Sequence, residues 1–218
     1  MATFLSGAAE ESRSGTIRRV KRAVVRITTY DGQDRPLLQA SGFFVTPERI
    51  ATTAHVINGA SRAQIETFDG RTYAVQGIVA FDEESDVALL QISASSLEIT
   101  TLKISERVPS EGEEIILVSN PQGFAWKTTK GSVVTLWNFQ ERGDLLRITA
   151  AISPGSSGGP VVNRAGEVVA VAAMHIVSSE DFNLAVPCTS FSNLRLGPPQ
   201  PLRSLVEQSE PPACRRRF

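Results

Sequence analysis

Little in this chain could hold it together except packing. Of 218 residues only two are cysteine, Cys188 and Cys214, and two are histidine, His55 and His175. Two distant cysteines make no disulfide framework, and both are expected as free thiols. Nor do these four residues show the close paired spacings of zinc ligands, so no metal site is expected. Formal net charge is −1, which gives no global field toward nucleic acid. The basic clusters Arg18-Arg19-Val20-Lys21-Arg22 and Arg215–Arg217 read as a solvated helix face and a weakly basic end. No apolar run approaches the roughly 18 residues of a membrane span. The segment Met1–Arg22 lacks the apolar core of a secretory signal. As written the chain reads as cytoplasmic, or as periplasmic or cell-envelope if a signal was removed. Long amphipathic helices are missing from the centre.

What the sequence has instead is short β-branched runs between turn signals. One set is Ala23–Tyr30, Leu38–Val45, Ile50–Thr53, Ala63–Phe68, Thr72–Phe81 and Val87–Ile92, with turns at Asp31-Gly32 and Asp69-Gly70. A second is Glu114–Ser119, Trp126–Leu136, Asp144–Ala151, Pro160–Asn163, Glu167–Met174 and Phe182–Val186. This spacing predicts an all-β barrel or sandwich. The polar stretch Ser93–Glu113 divides the sets into halves of similar size. Residues 1–15 read as a flexible segment, and Thr16 as the cap of a short helix over Ile17–Arg22. Residues 16–196 form the folded domain, with a terminal helix over Ser190–Leu196. Gly197-Pro198-Pro199-Gln200-Pro201 opens a tail that runs to residue 218. Trp126 and Trp137 read as core or loop anchors.

The richest stretch is Ser153-Pro154-Gly155-Ser156-Ser157-Gly158-Gly159-Pro160, flanked by strand-like Ile148–Ile152 and Val161-Val162. Glycines there allow backbone angles closed to other residues, so consecutive N–H groups can point into one cavity beneath a hydroxyl. Acyl transfer needs those parts: a nucleophile, and donors aimed at the oxyanion it creates. The same loop could be a plain turn or hold phosphate, but no Lys follows it and Pro160 opens a strand. A serine hydroxyl also needs a base, and the base an anion to orient it. Thr53-Ala54-His55-Val56 supplies the base and Ser85-Asp86-Val87-Ala88-Leu89-Leu90 the anion, in the order His55, Asp86, Ser157. His55 as a core histidine and Asp86 as a turn cap are the bland alternatives. His175 is the competing base, but it lies beyond the nucleophile, where it does not suit the triad.

These pieces resemble the protease domain of the HtrA (DegP-like) serine proteases, a branch of the chymotrypsin-like, or trypsin-like, fold. The motifs carrying the resemblance are Ser41-Gly42-Phe43-Phe44-Val45, Thr53-Ala54-His55-Val56, Asp86-Val87-Ala88-Leu89-Leu90, Asn120-Pro121-Gln122-Gly123, Gly155–Asn163, Gly166-Glu167-Val168-Val169 and Asn183-Leu184-Ala185-Val186-Pro187. The resemblance implies two six-stranded antiparallel β-barrels, about 23–92 and about 113–190, with the active site in the cleft between them. It implies a Ser157 nucleophile, a His55 base, an Asp86 orienter and an oxyanion hole from the Gly155 and Ser157 N–H groups. It places Ala151, Ile152, Met174, His175 and Ile176 at the pocket for the side chain before the cleaved bond. It also implies action on unfolded or extended protein segments, a role in protein quality control, no cofactor and, on resemblance alone, a homo-trimer. No PDZ domain is expected within these residues. Two departures stand out: Ser156 where relatives commonly have asparagine, and Thr149 where they commonly have aspartate. The alternatives are a regulated or inactive protease-fold module that binds unfolded segments, and an esterase with the same triad.

Overall fold

The computed structural model describes residues 14–93, 98–122, 124–139, 143–176 and 182–202. Within them the short runs form twelve strands. In the first half these are β1 (Val24–Tyr30), β2 (Pro36–Thr46), β3 (Arg49–Thr52), β4 (Arg62–Glu66), β5 (Thr72–Asp82) and β6 (Val87–Ile92). They close antiparallel in the order β1-β2-β3-β6-β5-β4. The second half holds β7 (Glu114–Ser119), β8 (Lys127–Phe139), β9 (Gly143–Ile148), β10 (Pro160–Val162), β11 (Val168–Ile176) and β12 (Phe182–Pro187). These close in the order β10-β11-β12-β9-β8-β7. The expected two-barrel, all-β architecture is therefore observed. Closure leaves neither sheet a free edge along its length.

Each barrel has its own core. Ile27, Phe44, Ile50, Ile65 and Leu90 fill the first, and Ile115, Leu117, Leu146, Val161 and Val169 the second. A third apolar cluster joins the two, with Val24, Phe43, Ala51 and Val87 of the first barrel meeting Leu102, Val118, Val162, Val171 and Leu184. That shared layer fixes the barrels against each other and so positions groups across the cleft.

The ends of the described chain add to this. Residues 14–23 are helical (α1), so Thr16 lies inside the helix rather than capping it. Val20 and Ala23 are buried, and Arg19 of the basic cluster donates to the Ala165 carbonyl of the second barrel at 3.1 Å. At the other end a 3-10 helix spans Cys188–Asn193, in place of the expected helix over Ser190–Leu196. The chain turns extended at Leu194 and crosses back to the first barrel. There Gly197 donates to Val79, and Gln200 exchanges two 2.8 Å hydrogen bonds with Ile78 of β5. Leu202 buries itself in the first core. A Cβ on Gly77 would lie 2.5 Å from the Gln200 carbonyl oxygen, so only glycine lets this strap approach. Cys188 is a buried free thiol whose burial pushes its pKa far up, and Cys214 lies outside the described residues. No helix among the described residues is long and apolar enough to cross a membrane.

Candidate active site

His55 sits on α2 (Ala54–Ile57), a single turn between β3 and β4. Thr53, still extended, is the last residue before the chain turns helical. Ala54, Val56 and Ile57 are buried, while the His55 side chain is 42% exposed. Across the β3–β6 pairing, Thr52 faces Ala88. That register brings the turn before β6 alongside α2. Asp86 closes the turn at φ +52°, a left-handed conformation that aspartate tolerates better than most residues. Its carboxylate grips His55 twice. Oδ1 accepts the His55 backbone N–H at 2.9 Å, and Oδ2 lies 2.7 Å from Nδ1. A carboxylate there holds the neutral ring's proton on Nδ1 and leaves the Nε2 lone pair as the basic site.

The Ser157 loop is fixed peptide by peptide. The Pro154 carbonyl accepts from Gln122 N–H at 3.0 Å, and the Ser156 carbonyl from Gly159 N–H at 2.9 Å. The Gly155 carbonyl accepts from Ser41 Oγ at 2.8 Å, and the Ser157 carbonyl from Ser41 N–H at 2.8 Å. Ser156 N–H donates to Ser153, and Gly158 N–H to Ala172. Among the described hydrogen bonds, the N–H groups of Gly155 and Ser157 donate to none of the protein's carbonyls. A trans peptide points its N–H opposite its carbonyl. Anchoring the carbonyls of Pro154 and Ser156 therefore orients those two N–H groups as well. Gly155 sits at φ +93°, and a Cβ there would lie 2.7 Å from the Asn120 carbonyl. Gly158 is tighter still, at φ +83° with Ser41 O and Thr52 Oγ1 within 2.0 and 2.2 Å of such a Cβ. Thr52 precedes His55 by three residues, so this contact seats the serine loop against the histidine turn. The Ser157 hydroxyl donates to the Ala173 carbonyl at 2.9 Å.

The two departures from the family pattern have local explanations. Ser156 is buried, and its hydroxyl accepts from Ser153 N–H at 3.3 Å and from Ser119 Oγ at 3.2 Å. Thr149 accepts from Ser132 N–H through Oγ1 at 2.8 Å, tying β8 to the chain leaving β9. Of the expected pocket residues, Ala151 is exposed and Ile152 is buried among the second core. Met174 packs on the shared layer, and Ile176 is 38% exposed. His175 lies in β11 opposite Asn183 of β12. Asn183 Oδ1 accepts Ile152 N–H at 2.8 Å, a tie to the expected pocket segment; Asn183 opens one of the sequence motifs, but the motif does not give its partner. The sequence reading also missed the parts of Ser41 and Asn120. Both lie in recognisable motifs, but only tertiary contact gives their hydroxyl and backbone groups a partner.

Residues 40–171 match the family model described as a trypsin-like peptidase domain. The chain is 33% identical over 171 residues to serine protease HTRA1 of Xenopus laevis, covering 74% of this chain and 36% of the relative. It is 31% identical over 144 residues to a probable periplasmic serine endoprotease DegP-like of Chlamydia trachomatis, covering 64% and 29%. An anti-sigma-I factor of Acetivibrio thermocellus is 30% identical over 202 residues, covering 87% and 28%. The chain thus spans about a third of the length of these relatives. Among solved structures, a protease of M. tuberculosis in its active form superposes with a TM-score of 0.74 at 19% identity, covering 86% of this chain and 87% of that one. The serine endoprotease of Yersinia pestis does so with a TM-score of 0.71 at 25% identity, covering 83% and 64%.

Proposed function

The chain belongs to the trypsin-like peptidase family, and from that premise we propose that it is an HtrA-like serine endopeptidase acting through Ser157, His55 and Asp86. Ser157 Oγ attacks the scissile carbonyl carbon while His55 Nε2 takes its proton. The carbonyl oxygen becomes an oxyanion held by the N–H groups of Gly155 and Ser157. His55 then protonates the leaving amine as the C–N bond breaks, giving an acyl ester on Ser157. Water, deprotonated by His55, attacks that ester, releases the acid and restores the hydroxyl. Asp86 stabilises the imidazolium at both proton transfers. To enter this cycle the Ser157 hydroxyl gives up the Ala173 carbonyl for the imidazole.

The observation that carries the reading is the pattern of spent and unspent donors in the Ser157 loop: the N–H groups of Ser153, Ser156, Gly158 and Gly159 are bonded within the protein, while the two that would meet an oxyanion are not. A fluorophosphonate probe tests it, because it labels an activated serine and not a simple binder. Labelling of the wild type, lost in Ser157→Ala while the unfolding midpoint stays within a few degrees, is the expected result. A wild type that takes no label and cleaves no casein would instead favour the binding-module reading. The Ala173 hydrogen bond, which holds the hydroxyl in a resting position, is the observation on that side.

Substrate preference follows from the pocket residues. Ala151, Ile152, Met174, His175 and Ile176 include no carboxylate. An unpaired Lys or Arg buried there would cost several kcal/mol, on the order of 3–5. An aliphatic side chain gains roughly 1.5–3 kcal/mol from burial. Cleavage is therefore expected after Ala, Val, Leu or Ile in unfolded or extended segments, which can offer a strand to the cleft. Mass-spectrometric mapping of cuts in a denatured protein checks this, and a majority after Lys or Arg refutes it.

A further inference from the structure

We infer that Ser41, a residue of the first barrel, is a positioning residue for the oxyanion hole of the second, an inference that rests on the serine endopeptidase reading. Ser41 lies in β2 and is fully buried. It meets the nucleophile loop with two different donors. Its backbone N–H binds the Ser157 carbonyl at 2.8 Å, and its hydroxyl binds the Gly155 carbonyl at 2.8 Å. Gly155 and Ser157 are the two residues whose own N–H groups face the proposed oxyanion. One residue thus holds, from behind, both residues that would hold the oxyanion in front: Ser157 by its backbone N–H and Gly155 by its side chain.

The direction of the hydroxyl is set by its other partner. Asn120 N–H donates to Ser41 Oγ at 2.7 Å, and a backbone N–H can only donate. The Ser41 proton is therefore committed to the Gly155 carbonyl. Asn120 is itself immobilised, since Nδ2 donates to Val25 at 3.0 Å and Oδ1 accepts from Trp126 N–H at 2.9 Å. On the far side, Thr52 Oγ1 donates to the Ser41 carbonyl at 2.9 Å. Ser41 is thus the middle of a relay from the strand that leads to His55, through β2, to the loop that carries Ser157.

This matters because Gly155 has no side chain of its own to hold it and sits at φ +93°. With no side chain and a left-handed φ, its flanking peptides have few barriers to rotation. The Gly155–Ser156 peptide lies between the two peptides that carry the Gly155 and Ser157 N–H groups; if its carbonyl loses the Ser41 anchor it can turn, and the aim of those two N–H groups relative to each other is lost. The oxyanion interaction depends on donors held in place before charge develops, and small misplacements cost rate rather than binding. Loss of the Ser41 hydroxyl should therefore lower the acylation rate and leave ground-state affinity nearly unchanged.

The test uses the full chain with the substitutions Ser41→Ala, Ser41→Cys and Thr29→Val. Thr29 is buried in β1 with a 3.4 Å hydrogen bond to the Leu38 carbonyl, remote from the loop, and controls for the loss of a buried hydroxyl. The readouts are the maximal rate and half-saturating concentration of fluorophosphonate labelling, casein turnover, and the unfolding midpoint. Ser41→Ala should label roughly ten- to hundred-fold more slowly, with half-saturation within about two-fold of wild type. Ser41→Cys keeps the volume and a weak donor and should fall between the two; it carries the test alone if Ser41→Ala does not fold. Thr29→Val should lose stability and keep its rate. If Ser41→Ala, or Ser41→Cys in its place, loses only stability and labels at the wild-type rate per folded molecule, the inference is overturned. A wild type that neither labels nor cleaves overturns the endopeptidase reading first, and this one with it.

Discussion

At the scale of single residues, the candidate site is a loop whose anchored carbonyls leave two N–H groups unspent among the described hydrogen bonds, with Asp86 as its most demanding neighbour. Asp86 accepts the strained left-handed backbone and in return binds both the main chain and the ring of His55. Replacing it with asparagine keeps the shape but offers an amide where Nδ1–H needs an anion. Turnover should fall by on the order of 10⁴-fold with folding retained. Casein turnover of both proteins, with the unfolding midpoint as the check on folding, measures it. A small effect of Asp86→Asn, with His175→Ala inactive, would transfer the base to His175.

At the scale of elements, strand identity follows from alternation and length, while the connections depend on local chemistry. The Asp31 carboxylate, for instance, closes its turn by accepting from Gln33 and Arg35 N–H groups at 2.8 and 2.9 Å. The linker between the barrels ends similarly. Arg107 grips Glu113 with two hydrogen bonds of 2.8 and 2.9 Å, just before β7. The Arg107 hydrogen bond holds the Glu113 carboxyl below its ordinary value of 4.5, against partial burial. A lowered carboxyl contributes stability above that ordinary value and loses it as pH falls through its folded-state pKa. Glu113→Gln should therefore cost about 1 kcal/mol or less at neutral pH. The difference from wild type should shrink toward zero below pH 4.5. Urea unfolding across pH measures it, and a pH-independent difference would show that the pair contributes no electrostatic stability.

At the scale of the whole molecule, the barrels are held by a shared apolar layer, by Ser41, and by the returning strap of residues 197–202. The Pro-rich composition of that strap reads as a tail, because proline and glycine break helix and strand patterns. It docks nonetheless, since Gln200 finds two backbone partners on β5 and Leu202 a buried site. Gly77→Ala should lift the strap off, costing roughly 2 kcal/mol or more from exposing Leu202 and freeing Ile78 N–H. Faster hydrogen exchange at Ile78 with the β6 amides unchanged is the expected signature. Unaltered exchange and stability would mean the strap repacks around the new methyl.

By itself the sequence determined the strands, their division into two sets, and the three residue types of acyl-transfer chemistry in a recognisable order. Those features are local: β-branched alternation, turn residues, and a glycine-shaped loop around Ser157. Tertiary structure decided what local pattern cannot encode. It gave Ser41 two carbonyls to hold, turned Ser156 onto Ser119, seated Asn183 on Ile152, and drew the strap across β5. Each of these joins groups far apart in the chain, and only barrel closure and the register between strands set their distance. The physical reason is that a hydrogen bond depends on position in space to a few tenths of an ångström, while a motif specifies position along the chain.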